Sequence, residues 1–251
     1  SGDAPLIGAG LAALALAAIG LELRSRAMGG AVIAMLGALS AAAGLLRLLD
    51  LPGGGSGMFF LVILVGAAFG ARFGFLLGLT AMATSAVLTG GLGPWLPFQM
   101  LGLAWMGAGA GVLGGLCRAL STKWRVAILS VYGWCWGFLY GAIMNLWFWP
   151  FVVDGGALSY DPTLGPAGTL SRYAAFYAVT SFGWDAAGAF TNAVLIALTG
   201  AAILPILDRY RTRLDPVAVF TPSHLSTSTH EHEGQAQDQQ RRGRRQQPTN
   251  I

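Results

Sequence analysis

The sequence predicts an all-α protein, a polytopic bundle of membrane-spanning helices, and three observations predict it. Of the 251 residues, 55% are hydrophobic and only 10% charged, whereas a soluble domain is about a quarter charged. The apolar residues gather in runs near the roughly 20 residues that a bilayer-crossing helix needs. Glycine is abundant at 37 residues, about twice its usual share. It lacks the three-residue period of collagen, and it suits helices that pack closely in lipid.

Seven runs read as helices. The first, residues 5–23, has no basic segment before it and is followed by Arg24 and Arg26, the reverse of a signal peptide's flanks. A signal anchor stays open. The second, 27–49, carries an alanine ladder of Ala27, Ala31, Ala34, Ala38 and Ala42. The third and fourth, 58–71 and 73–88, have Arg72 as their only charge. Together they are too long for one span, so two short helices turning at Gly70-Ala71-Arg72-Phe73-Gly74 are expected. The fifth, sixth and seventh are 98–116, 126–149 and 173–207. Residues 215–251 are polar and rich in Gln, Ser and Thr, and read as a disordered tail.

Basic residues favour the cytoplasmic side. With the N-terminus outside, thirteen of the fifteen lie inside: Arg24, Arg26, Arg72, Arg118, Lys123, Arg125, Arg209, Arg211, Arg213 and the tail arginines Arg241, Arg242, Arg244 and Arg245. Only Arg47 and Arg172 fall outside. The expected topology is N-terminus out, C-terminus in. Pro52, Pro94, Pro97, Pro150, Pro162 and Pro166 then fall in three large outer loops.

Single residue types exclude several chemistries. The one lysine, Lys123, lies in Ser121-Thr122-Lys123-Trp124, so no phosphate-cradling Gly-Lys-Ser/Thr loop exists. All three histidines, His224, His230 and His232, are in the tail, which leaves no intramembrane histidine for a haem, metal or proton relay. Cys117 and Cys135 have no metal-like spacing and read as small buried hydrophobes. An intramembrane aspartyl protease needs two aspartates, and Asp185 is alone at depth. No enzyme, metal or cofactor is expected. His230-Glu231-His232-Glu233 reads as a tag-like tail segment, and the tail arginines as a solvated cluster suited to anionic lipid headgroups.

Glycines recur every four residues at Gly66, Gly70, Gly74 and Gly78, at Gly107, Gly111 and Gly115, and at Gly133, Gly137 and Gly141. Such stripes let backbones meet, and internal packing explains them. The ladder face Ala34, Ala38 and Ala42 has two open readings, internal packing or docking of another membrane subunit. The outer loops are aromatic and nearly uncharged. Trp95 and Gln99, then Asn145 in the sixth run, then Trp184 and Asp185 in the seventh, are expected to line one outer ligand cavity; the bland reading of each tryptophan is an interfacial belt. Asp185 lies twelve residues into its run, about 18 Å down. An intramembrane carboxylate is by default a functional-site hypothesis. Ligand contact, pairing with Arg47, a polar clamp with Asn145 or Asn192, and proton coupling all stay open for it.

Three segments carry a resemblance. They are the hairpin Leu64-Val65-Gly66-Ala67-Ala68-Phe69-Gly70-Ala71-Arg72-Phe73-Gly74-Phe75-Leu76-Leu77-Gly78, then Gly93-Pro94-Trp95-Leu96-Pro97-Phe98-Gln99-Met100, then Ser181-Phe182-Gly183-Trp184-Asp185 followed by Asn192. In these the chain resembles the substrate-binding S components of energy-coupling factor (ECF) vitamin importers. The resemblance implies a six-helix core over residues 27–214, with 1–26 as an extra N-terminal helix and turn and 215–251 as the cytoplasmic tail. It implies that Ala34, Ala38 and Ala42 contact a transmembrane coupling subunit driven by two ATPase subunits. It places the ligand beneath the loops at residues 50–57, 89–97 and 150–172. Gly-Pro-Trp before Pro-x-Gln is similar to S components assigned to cobalamin or related corrinoids, so a corrinoid is the leading ligand. The expected partners are thus a vitamin, the coupling module and membrane lipid of a prokaryotic plasma membrane, with no nucleic acid. A structural or assembly membrane protein without a ligand is the alternative.

Overall fold

The computed structural model describes residues 29–49, 51, 56–152 and 156–214, with the single positions 10, 13, 17 and 20. The expected first helix and the tail lie outside the described residues, except that Gly10, Ala13, Ala17 and Gly20 are helical. The described residues form seven α-helices: α1 Gly30–Leu46, α2 Gly57–Phe69, α3 Ala71–Thr89, α4 Leu96–Leu116, α5 Thr122–Phe148, α6 Pro166–Thr180 and α7 Phe182–Leu214. Short 3₁₀ turns at Trp149–Phe151 and Gly156–Leu158 join α5 to α6. By length and composition, α3, α4, α5 with its following turn, and α7 can each cross a membrane, while α1 and α2 are apolar but shorter.

The chain runs back and forth. Ser40 on α1 hydrogen-bonds Thr80 on α3 at 2.6 Å, and Gly44 lies against Ser85, so these two helices run parallel. Gly74 and Gly78 of α3 meet Gly107 and then Leu103–Ala104 of α4, an antiparallel pairing. Tyr140 and Tyr132 of α5 cover Gly102 and Gly109 of α4, again antiparallel. Gly133 and Gly137 of α5 meet Ile196 and Ala189 of α7. The bundle therefore has an aromatic end, with Trp95 and Trp149, and a basic end, with Gly70 and Arg125.

At the centre stands α2. It touches α1, α3, α4, α5 and α7, and every residue of it except Phe59 and Leu61 is buried. Its sequence, Gly-Met-Phe-Phe-Leu-Val-Ile-Leu-Val-Gly-Ala-Ala-Phe, has no polar face, as a helix surrounded on all sides requires. It ends at Gly70, whose φ of 96° and ψ of 172° suit only glycine. The Gly70 N–H closes α2 on the Gly66 carbonyl at 2.8 Å, and its own carbonyl opens α3 by accepting from the Gly74 N–H at 3.0 Å. One residue makes the whole turn, where the sequence suggested a broader one, and the second arm is a full 19 residues.

The glycines pack backbone on backbone. A side chain at Gly66, Gly74 or Gly107 would strike the main chain of a neighbouring helix, as it would at Gly111 against Gly70–Ala71. The expected stripe shifts on α4, because Gly114 meets Ala67 while Gly115 faces open space. A helix of 3.6 residues per turn drifts off a strict four-residue repeat, so the third contact falls at i+3. At the basic end the buried Arg125 holds Asp208 through its two terminal guanidinium nitrogens, at 2.6 and 3.3 Å, fixing α5 to α7.

The expected six-helix core needs one correction. The run 173–207 is broken at Ser181, so residues 27–214 hold seven helices. Ser181 leaves the helical region at φ −129° and ψ −26°. Its N–H closes α6 on the Tyr177 carbonyl at 3.0 Å and its carbonyl opens α7 by accepting the Asp185 N–H at 2.9 Å, while its hydroxyl donates to Asn145 Oδ1 at 2.9 Å. Two of the expected loop prolines open helices instead. Pro97 is in the first turn of α4 and Pro166 begins α6, positions where the missing N–H costs nothing.

Candidate functional site

The break at Ser181 relocates Asp185. It sits in the first turn of α7, not twelve residues down a continuous helix. A first-turn position is where a helix dipole favours a carboxylate. Across from it lies Gly141 of α5: a Cβ there would overlap both carboxylate oxygens. The third stripe on α5 is thus a trough that takes Asp185, Ala189 and Ile196 in turn.

Around Asp185 the polar groups of three helices meet. Asn145 donates to the Gly141 carbonyl at 2.9 Å and accepts from Ser181. From α6, the Tyr173 hydroxyl donates to the Ala142 carbonyl and that of Tyr177 to the Phe138 carbonyl at 3.4 Å. Tyr177 also lies within reach of the Asp185 carboxylate. Asp185 Oδ2 is buried with no hydrogen-bond partner among the described residues. A clamp with Asn192 does not form, since Asn192 donates to the Gly133 carbonyl at 3.0 Å, deeper along the trough. Pairing with Arg47 does not form either: the described contact of that guanidinium is Met82 Sδ, at 2.8 Å.

Above the polar groups lies an aromatic cap. Trp149 is 2% exposed. It donates its indole N–H to the Leu158 carbonyl at 2.7 Å and packs on Tyr160, Tyr173 and Phe176. Outside the membrane-spanning segments, Arg172 donates to the Ser159 carbonyl at 3.2 Å and pairs with Asp161 at 3.7 Å. The Thr163 hydroxyl and N–H bond the Asp161 carboxylate and hold its pKa below the ordinary carboxylate value, with a smaller contribution from Arg172.

Only two of the five residues expected to share a cavity, Asn145 and Asp185, come together this way. Trp184 is 70% exposed, because neighbouring helix positions point about 100° apart and Asp185 takes the inward one. Trp95 is partly exposed, its ring folded over Gly93. Gln99 stands one turn before Gly102 on the same side of α4, and Gly102 is the seat of Tyr140. It therefore belongs to the opposite flank of α5. That flank includes Tyr140, whose ring meets Phe59 edge-on at 4.8 Å. The sequence offered no signal for Tyr140: only the fold brings an isolated tyrosine on α5 against α2.

The alanine ladder resolves in the other direction. Ala34, Ala38 and Ala42 are exposed, as are Ala31, Gly37 and Ala41, so packing among the described helices does not explain them. The buried face of α1 is instead Val32, Leu36, Ser40, Ala43 and Gly44.

No protein-family model, no curated protein and no solved structure matches the chain. Its own geometry establishes a helical membrane protein with a polar cluster capped by aromatic rings at one end of the bundle.

Proposed function

We propose that this chain is the substrate-binding membrane subunit of an ECF-type importer. In this reading it captures a vitamin, with cobalamin or another corrinoid as the leading ligand, for uptake driven by separate ATPase subunits. It lies in the plasma membrane of a prokaryote with the N-terminus outside and the C-terminus cytoplasmic, so that the aromatic end faces out. The observation that carries the reading is the bare face of Ala34, Ala38 and Ala42 on α1. A smooth small-residue surface lets a second helix approach closely in lipid, as docking to a coupling subunit requires. The aromatic end supports it further, with Asp185 Oδ2 buried and unpartnered beneath Trp149 and the α6 tyrosines. Binding sites orient their ligands with a few such polar groups among apolar ones.

Calorimetric titration of the purified protein with cobalamin tests the binding half, and the same vitamin should be taken up by cells that supply the coupling module. Ala38→Leu should stop uptake while leaving binding by the isolated subunit intact. Uptake unchanged by Ala38→Leu removes the docking role. A folded protein that binds no corrinoid or other ring-bearing vitamin leaves the alternative, a structural or assembly protein without a ligand.

A further inference from the structure

Two arginines lie at the aromatic end, and their surroundings differ. Arg172 is paired with Asp161. Arg47 has no carboxylate partner among the described residues; its described side-chain contact is a thioether sulfur, Met82 Sδ, a weak acceptor. Interior charges in membrane proteins are expensive unless paired, and mark functional sites by default.

The direction in which Arg47 points excludes simple escape to the membrane surface. Ser40 is level with Thr80, and Gly44 with Ser85, so Arg47 starts near the last turn of α3. A snorkelling arginine would extend onward toward water. This one reaches back to Met82, seven residues before the end of α3 at Thr89, about 10 Å along the helix. Met82 is itself buried. The Tyr140 phenol, eight residues before the end of α5 at Phe148, lies within electrostatic reach of the guanidinium. Beside Tyr140 is Phe59, one of the two α2 residues not fully covered, while Tyr140 and Met144 lie against the side-chain-free surface of Gly102.

We propose that Arg47 is the anion-recognising group of the ligand site, and that the ligand carries a carboxylate or phosphate ester on a ring-bearing body that lies against Phe59 and Tyr140. The guanidinium suits either anion, since its planar N–H fork donates to both bidentately. A ring resting on Phe59 and Tyr140 would set its anionic substituent toward α1 and α3, where Arg47 waits. Gln99, one turn above Gly102, then supplies a neutral hydrogen-bonding group on the same flank. The inference rests on the ligand-binding reading above and adds the charge of the ligand to it.

Pairs with and without the anion test it on the full chain in detergent. Nicotinate is set against its neutral amide, nicotinamide; cobalamin is set against cobinamide, which lacks the phosphodiester together with its ribose and base, so for that pair only a preference that Arg47→Gln removes counts for the phosphate. Affinity is measured by calorimetry for the wild type, Arg47→Gln and Arg47→Lys, with monodispersity as the folding control. The wild type should bind the anionic member of one pair at least about tenfold more tightly, the loss expected when a charged hydrogen bond is removed. Arg47→Gln should erase that preference and Arg47→Lys keep part of it. A preference for cobalamin that Arg47→Gln erases identifies a phosphate ester, and a preference for nicotinate a carboxylate. If the neutral member binds as tightly to the wild type, or if Arg47→Gln keeps the preference, the anion assignment is overturned while vitamin capture stands. If Arg47→Gln does not fold, the wild-type nicotinate comparison decides the carboxylate case and the partial preference of Arg47→Lys decides the phosphate case. If a monodisperse wild type binds none of the four, this inference falls together with the function beneath it.

Discussion

The α2–α3–α4 core and the α5–α6–α7 end solve the same problem differently. In lipid, helices gain little from hydrophobicity alone and must be held by close packing or by polar contacts. In the first region the holding is done by missing side chains: Gly66, Gly74, Gly107, Gly111 and Gly114 let three backbones touch. Half or more of the span windows of α3 and α4 is buried, against 22% for α5 and α7. The second region has one such backbone contact, Gly137 against Ala189, and adds side chains that reach across to carbonyls and to one another: Tyr173, Tyr177, Trp149, Ser181 and Asn192. The first arrangement is rigid because nothing in it can move without separating two main chains. The second is adjustable because hydroxyl and amide groups can exchange partners.

The sharpest way to break this comparison is a methyl group in the core. Gly107→Ala should cost about 3 kcal/mol, the upper end of overpacking penalties, because its Cβ meets the Gly74 main chain, which no rotamer change can relieve. Gly115→Ala on the same helix has nothing within 4 Å of the new atom and should change stability by less than about 0.5 kcal/mol. Thermal denaturation in detergent measures both. Equal stabilities would refute backbone contact as the basis of the core.

A smaller effect is expected at the junction of the two regions' styles. Gly141→Ala puts its methyl against the Asp185 carboxylate, a side chain that can turn away, so about 1–2 kcal/mol is expected, within the usual overpacking range. Asp185→Ala should relieve it, giving a coupling of about 0.5–2 kcal/mol in a double-mutant cycle. Additive losses would mean that the carboxylate does not occupy the trough.

The smallest effect is a pH dependence confined to the loop before α6. Asp161 is held below its ordinary pKa by Thr163 and, more weakly, by Arg172. A depressed carboxylate contributes stability above its unfolded value near pH 4 and loses it as the pH falls through the folded value. Amide exchange at residues 156–165 should therefore accelerate below about pH 4, relative to the rest of the chain. Asp161→Ala should exchange fast at neutral pH and lose the dependence. A loop equally protected at pH 3 and pH 7 would remove the carboxylate from the account.

How far the site was legible follows from the same contrast. Glycine spacing announced the core because a stripe is local: four residues per repeat lie on one helix face whatever the partner is. The Gly70 turn was legible within a residue or two for the same reason. The site was half legible. Asn145 and Asp185 stood out as polar groups in apolar runs, and they do meet, at Gly141. Trp184 and Trp95 stood out as loudly and do not join them, because an aromatic residue near a membrane surface reads the same whether it faces a ligand or the lipid. Arg47 was visible as a charge on the minority side and as a candidate partner of Asp185, which it does not meet, and Tyr140 was invisible.

By itself, then, the sequence determined the helical membrane class, the position of most helices and the glycine-backed core, since composition, run length and helical period are properties of one segment at a time. Only the tertiary structure decided that the last run breaks at Ser181, that the alanine face of α1 looks outward, and that Asp185 and Arg47 lie on opposite flanks of α5. Each of these depends on which distant segment is the neighbour: Asn145 for Ser181, α3 rather than the alanines for α1, Gly141 for Asp185 and Met82 for Arg47. A hydrogen bond or a steric gap between residues far apart in the chain leaves no period in the sequence.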